Sequence, residues 1–205
     1  MNHSFLIKIS LLFAAFLAAL FYFPPSASAH LVTTGMGPVY DGIGHLLLTP
    51  EDLVPALAVA LYAGLRGPTA GRFAIFLFPA AWLLGGILGL QTNVLPAFPM
   101  ASLSFLVLGL LIAADLNLPT RAFTFVAVVI GLIHGFCNGI ALQQGPAGQG
   151  LLGIMAALFV LVTLVSTFVV SLKPPWARIV VRVLGSWVAA IGILMIGWYM
   201  RSGMV

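Results

Sequence analysis

Residues 121–142 read RAFTFVAVVIGLIHGFCNGIAL. Arg121 opens the stretch and no Lys, Arg, Asp or Glu follows it. A helix rises about 1.5 Å per residue, so a run of this length matches the roughly 30 Å hydrocarbon core of a bilayer. The apolar residues are continuous rather than alternating. In lipid every backbone polar group must be paired internally, so such a run is a helix and not a barrel strand. His134 lies inside it, at a depth of about 20 Å counted from Arg121. An ionisable residue in that setting is expensive, and by default it marks a functional site.

The rest of the chain repeats the pattern. Further helix-length apolar runs lie at about 50–65, 72–90, 98–115, 150–172 and 178–200. Between them stand breakers: Gly67-Pro68, Leu95-Pro96, Leu118-Pro119, Gly145-Pro146 and Pro174-Pro175. Hydrophobic residues make up 62% of the 205 and charged residues 6%, where a soluble domain carries roughly a quarter charged. The expected fold is all-α, a polytopic bundle of six transmembrane helices. The net charge of +4 comes from residues in the gaps and includes no basic run or basic-aromatic stripe, which argues against nucleic acid as a partner. The single Cys137 excludes an intrachain disulfide and a CxxC knuckle. No GxxxxGK[ST] loop is present, so the chain itself is not expected to hydrolyse ATP.

Residues 1–29 read as a secretory signal. Lys8 is followed by an apolar stretch, then Pro24-Pro25 and the A-x-A sequence Ala27-Ser28-Ala29. Cleavage there leaves His30 as the first mature residue, whose amine and imidazole together make an N-terminal metal ligand. The alternative is an uncleaved additional span. Residues 30–205 are then the six-helix domain, with 30–49 as an outer surface or re-entrant segment. Arg66, Arg72, Arg121, Lys173, Arg178 and Arg182 fall in alternate gaps, and the opposite gaps, 91–97 and 143–149, are uncharged. The positive-inside rule places the basic gaps in the cytoplasm and both mature termini outside.

Toward the outer face the polar residues gather. Thr49-Pro50-Glu51-Asp52 reads as a helix start, with Thr49 as cap, Pro50 in the first turn and two acids at the positive end of the dipole. Asp41 and His45 are spaced i, i+4, as are His134 and Asn138. Glycines 131, 135 and 139 are expected to clear a groove beside His134, and Gly85, Gly86 and Gly89 to admit a neighbouring helix. His45, Glu51, Asp52 and His134 form the candidate metal set, with Asp41 and Asn138 behind them. Imidazole with carboxylate suits a borderline divalent ion such as Ni²⁺, Co²⁺, Zn²⁺ or Cu²⁺, whereas Ca²⁺ would want more oxygen. The competing reading of Glu51 and Asp52 is a helix cap, and that of His134 a packed, hydrogen-bonded core histidine.

These residues resemble the HupE/UreJ family of small bacterial membrane proteins linked to hydrogenase and urease accessory systems. The stretch Gly44-His45-Leu46-Leu47-Leu48-Thr49-Pro50-Glu51-Asp52-Leu53 is similar to the family's first-span pattern, a Gly-His pair followed by an Asp-His pair. Gly131-Leu132-Ile133-His134-Gly135-Phe136 resembles its later His-Gly motif. Five positions depart from the pattern: Glu51 stands where the family has Asp, Asp52 where it has His, Thr49 where a glycine usually precedes the pair, and Cys137 and Asn138 where small or aromatic residues are expected after the His-Gly pair. The resemblance implies a metal permease or metal-handling accessory protein of the bacterial inner membrane. Nickel or cobalt would be its substrate, metalloenzyme maturation systems its partners, and no organic cofactor would be bound. The alternatives are a non-transporting membrane scaffold, or an intramembrane metal-dependent hydrolase. The hydrolase is weakened because Asn138 occupies the second position of the HxxxH pair that such enzymes use.

Overall fold

The computed structural model describes residues 33–92, 94 and 99–202. The expected signal segment 1–29 and His30 lie outside them. The described residues form seven helices and no strand: α1 Pro38–Leu48, α2 Pro50–Arg66, α3 Pro68–Gly89, α4 Met100–Ala113, α5 Thr120–Leu142, α6 Ala147–Ser171 and α7 Pro175–Ser202. Prolines open α1, α2, α3 and α7, where the missing N–H costs nothing and the fixed φ suits the first turn. Gly67 both ends α2 and precedes α3 at φ 98°, a backbone conformation that strains any other residue.

All six expected runs are helical, but six full spans are not what the lengths support. Four helices, α3, α5, α6 and α7, are long and apolar enough to cross a membrane. A fifth span arises if α1 and α2, bent by 77° at Thr49, are counted together. The remaining helix, α4, has 14 residues, short of the roughly 20 that a straight crossing needs. Thr49 occupies the cap position of α2, but its side chain makes no capping hydrogen bond. Its backbone carbonyl accepts the N–H groups of Asp52 and Leu53, each at 3.0 Å.

α2 is the central helix and touches each of the other six. Most of its packing surface is small residues, Ala56, Ala58, Val59, Ala60, Ala63 and Gly64, with Tyr62 the one large aromatic buried among them. Two glycine faces meet between α3 and α5. A Cβ at Gly135 would lie 2.0 Å from the Trp82 carbonyl oxygen, one at Gly85 2.1 Å from that of Leu132, and one at Gly139 2.1 Å from that of Gly86. Gly85 and its neighbours thus admit a helix as expected, and that helix is α5. The groove that glycines 131, 135 and 139 clear beside His134 is filled by the α3 backbone. Close approach of small-residue faces gains dispersion contacts that lipid cannot supply. Here it also presses Trp82 against His134.

Candidate functional site

The site is built on the first turn of α2. Asp52 is 5% exposed although it is an acid. A buried carboxylate is costly unless it is well partnered. Three neighbours surround it. His134 Nδ1 on α5 lies 3.0 Å from Oδ1, Asn138 Nδ2, one turn further along α5, donates to Oδ2 at 2.8 Å, and His45 Nε2 on α1 stands 3.7 Å from Oδ2. The 77° bend at Thr49 is what carries His45 back over the start of α2.

Two residues that the sequence did not point to complete the arrangement. Ser104 of α4 lies 2.9 Å from His134 Nε2, and Trp82 of α3 stacks on the imidazole at 5.3 Å between ring centroids and 29° between planes. His134 is therefore held at both nitrogens and on one face. Ser104 is one serine among several in apolar runs. Its partner lies 30 positions away, so no local spacing marks it.

The expected residues divide. His45, Asp52, His134 and Asn138 come together. Glu51 is exposed and takes no part in the contacts that His134, Asn138 and His45 make with Asp52. Consecutive residues on a helix point about 100° apart, so only one of the pair can face the interior. Asp41 is not behind the site. Its Oδ1 accepts the amide and hydroxyl of Thr34, at 2.6 and 2.7 Å, and this ties down the turn before α1 rather than supporting His45. Among the described residues no group of three or more His, Cys, Asp or Glu forms a ready-made metal cage.

Counting protons makes the chemistry more definite. Ser104 Oγ lies 2.8 Å from the Ala101 carbonyl oxygen. Two oxygens at that distance need a proton between them, and only the serine has one to give. With the serine proton spent on Ala101, the bond to His134 that keeps both contacts runs from Nε2–H to Oγ. A neutral imidazole so arranged turns the lone pair of Nδ1 toward the Asp52 carboxylate. Lone pair against carboxylate is favourable only with a cation, a proton or a metal ion, between them. Asn138 adds to the same excess of acceptors, since its Oδ1 is buried without a partner.

The fold and this site define a multi-pass, all-helical membrane protein with a His–Asp–His constellation at a helix start, Asp52 and His134 buried and His45 half-buried. The HupE / UreJ protein family model matches residues 17–195, and the chain belongs to that family. It is also 29% identical over 175 residues to Protein HupE of Rhizobium leguminosarum bv. viciae, covering 82% of this chain and 89% of that protein. No solved structure matches it.

Proposed function

We propose that this protein handles a divalent transition metal of the nickel or cobalt type as a permease substrate of the bacterial inner membrane, with the outer face of the bundle periplasmic. The observation that carries the reading is Asp52, a buried carboxylate whose three polar neighbours are all uncharged or only optionally charged. Asp52, His134 and His45 would take the ion, and Asn138 Oδ1 is a spare oxygen donor beside them. Mixed nitrogen and oxygen donors fit this ion class. The set is open rather than closed, as suits an ion that must leave again. Family membership supports a role in metalloenzyme supply, and the reading assigns transport or metal handling rather than catalysis. A signal segment at 1–29 and basic gaps facing the cytoplasm complete it.

The test is elemental analysis of protein purified without chelators, followed by Ni²⁺ and Co²⁺ flux into liposomes. The wild type should carry sub-stoichiometric to stoichiometric metal and support flux, and His134→Ala should lose both. Flux undiminished in His134→Ala would overturn the assignment.

A further inference from the structure

We infer that Ser104 is a positioning residue that fixes His134 with its proton on Nε2, so that Nδ1 is the atom presented to the ion; this rests on the metal reading above.

Ser104 sits on the first turns of α4 and is 7% exposed. Its hydroxyl is committed backward to Ala101 O at 2.8 Å, which leaves an oxygen lone pair facing Nε2 at 2.9 Å. Among the described residues Ser104 Oγ is the hydrogen-bond partner of Nε2. Nδ1 faces Asp52 Oδ1 at 3.0 Å, and Trp82 stacked on the ring resists tilting. A metal-bound imidazole nearly always donates its other N–H to a fixed acceptor, which sets the tautomer and raises ligand basicity. Ser104, backed by a helix carbonyl, is that acceptor. The α4 helix thus takes part in the site without supplying a ligand.

The same three groups could be wired the other way, with Ser104 donating to Nε2 and His134 donating to Asp52. That polarity belongs to an acyl-transfer triad. It would sacrifice the Ser104–Ala101 bond, so the two arrangements differ in one observable, the proton on Nε2.

The experiment uses full-length protein labelled with ¹⁵N-histidine, with His134→Ala to assign the signal. Co²⁺ titration of wild type, Ser104→Ala and Ser104→Thr runs beside it. We expect wild-type His134 to carry its proton on Nε2. Ser104→Ala should lose that signature and bind Co²⁺ on the order of 10- to 100-fold more weakly. Ser104→Thr should restore both, because a helical threonine hydroxyl can also bond back to a carbonyl one turn earlier. A wild-type Nε2 without a proton would overturn the inference, and so would Co²⁺ affinity unchanged in Ser104→Ala. If the wild type binds no Co²⁺, the metal reading and the coordinating role of Nδ1 fall together. The tautomer measurement then still decides whether Ser104 holds the ring.

Discussion

The two ends of α2 each hold a buried or nearly buried acid, and they treat it oppositely. At the Arg66 end, Asp115 is clamped by permanent cations. Arg66 pairs with Oδ1, and Arg178 reaches both oxygens, at 2.5 Å from Nε and 2.9 Å from Nη2. Arg66 also donates to Asn117 at 2.7 Å, and the Tyr62 hydroxyl donates to Leu116 O at 2.7 Å. Arg182 donates to Ala113 O at 3.0 Å, so α2, α7 and the α4–α5 connection are tied together. About 20 Å away along the helix, Asp52 meets only imidazoles and an amide among the described residues. The Asp115 carboxylate is neutralised by the protein itself. The Asp52 carboxylate has no permanent cation beside it among the described residues, which on the proposed reading leaves it for a cation that comes and goes. The first is a clasp, and the second has the electrostatics of a binding site.

Breaking the clasp should give the largest effect. In Asp115→Asn the buried Arg66, whose side chain is 4% exposed, keeps its charge and loses its counter-ion. Leaving one partner of a buried pair uncompensated costs roughly 3–5 kcal/mol. A large drop in melting temperature in detergent is expected, with Co²⁺ affinity of the surviving fold little changed. Arg178→Gln should cost far less, under about 1 kcal/mol, because that side chain is 53% exposed and solvent screens it. Equal losses in the two variants would remove the distinction between buried and screened halves of the clasp.

A smaller effect, at the other end, sharpens the role of packing. Gly135→Ala puts a methyl group 2.0 Å from the Trp82 carbonyl, so α3 and α5 must separate. Overpacking of this kind costs about 1–3 kcal/mol. Because Trp82 stacks on His134, metal affinity should fall along with stability, which thermal melts and Co²⁺ titration would record together. Stability lost with affinity intact would separate the stack from the site. The smallest effect is expected for Glu51→Gln. An exposed acid one residue from the ligand set should change Co²⁺ affinity by no more than about threefold, through screened charge alone. A tenfold loss would return Glu51 to the ligand set.

How much of this was legible in the sequence follows from which signals are local. Hydropathy runs and prolines locate the helices because a helix start and an apolar span are written in adjacent residues. His134 and Asp52 stand out because an ionisable group in an apolar run has to be explained. Glu51 could not be told from Asp52, since both occupy the same helix turn and only the rotational setting of α2 buries one of them. Asp41 looked like a partner of His45 at i, i+4, but the nearby Thr34 satisfies it first. Ser104 and Trp82 reach His134 from α4 and α3 across the fold, so their roles are written in tertiary packing alone. The expected span at α4 is not shown, for a related reason. A run of apolar residues measures what tolerates lipid, while helix length is set where the chain turns.

The central claim is that Asp52 is reserved for an exchangeable cation while Asp115 is not. The direct measurement is Co²⁺ affinity and melting temperature on one pair of variants, Asp52→Asn and Asp115→Asn, in metal-free detergent solution. Asp52→Asn should bind Co²⁺ at least about 100-fold more weakly, since the charge that attracts the ion is gone, and its apo melting temperature should stay within about 3 °C of wild type. Asp115→Asn should show the reverse pattern. If Asp52→Asn binds Co²⁺ as wild type does, or collapses thermally as Asp115→Asn is expected to, then Asp52 is a structural acid like Asp115 and the account is wrong.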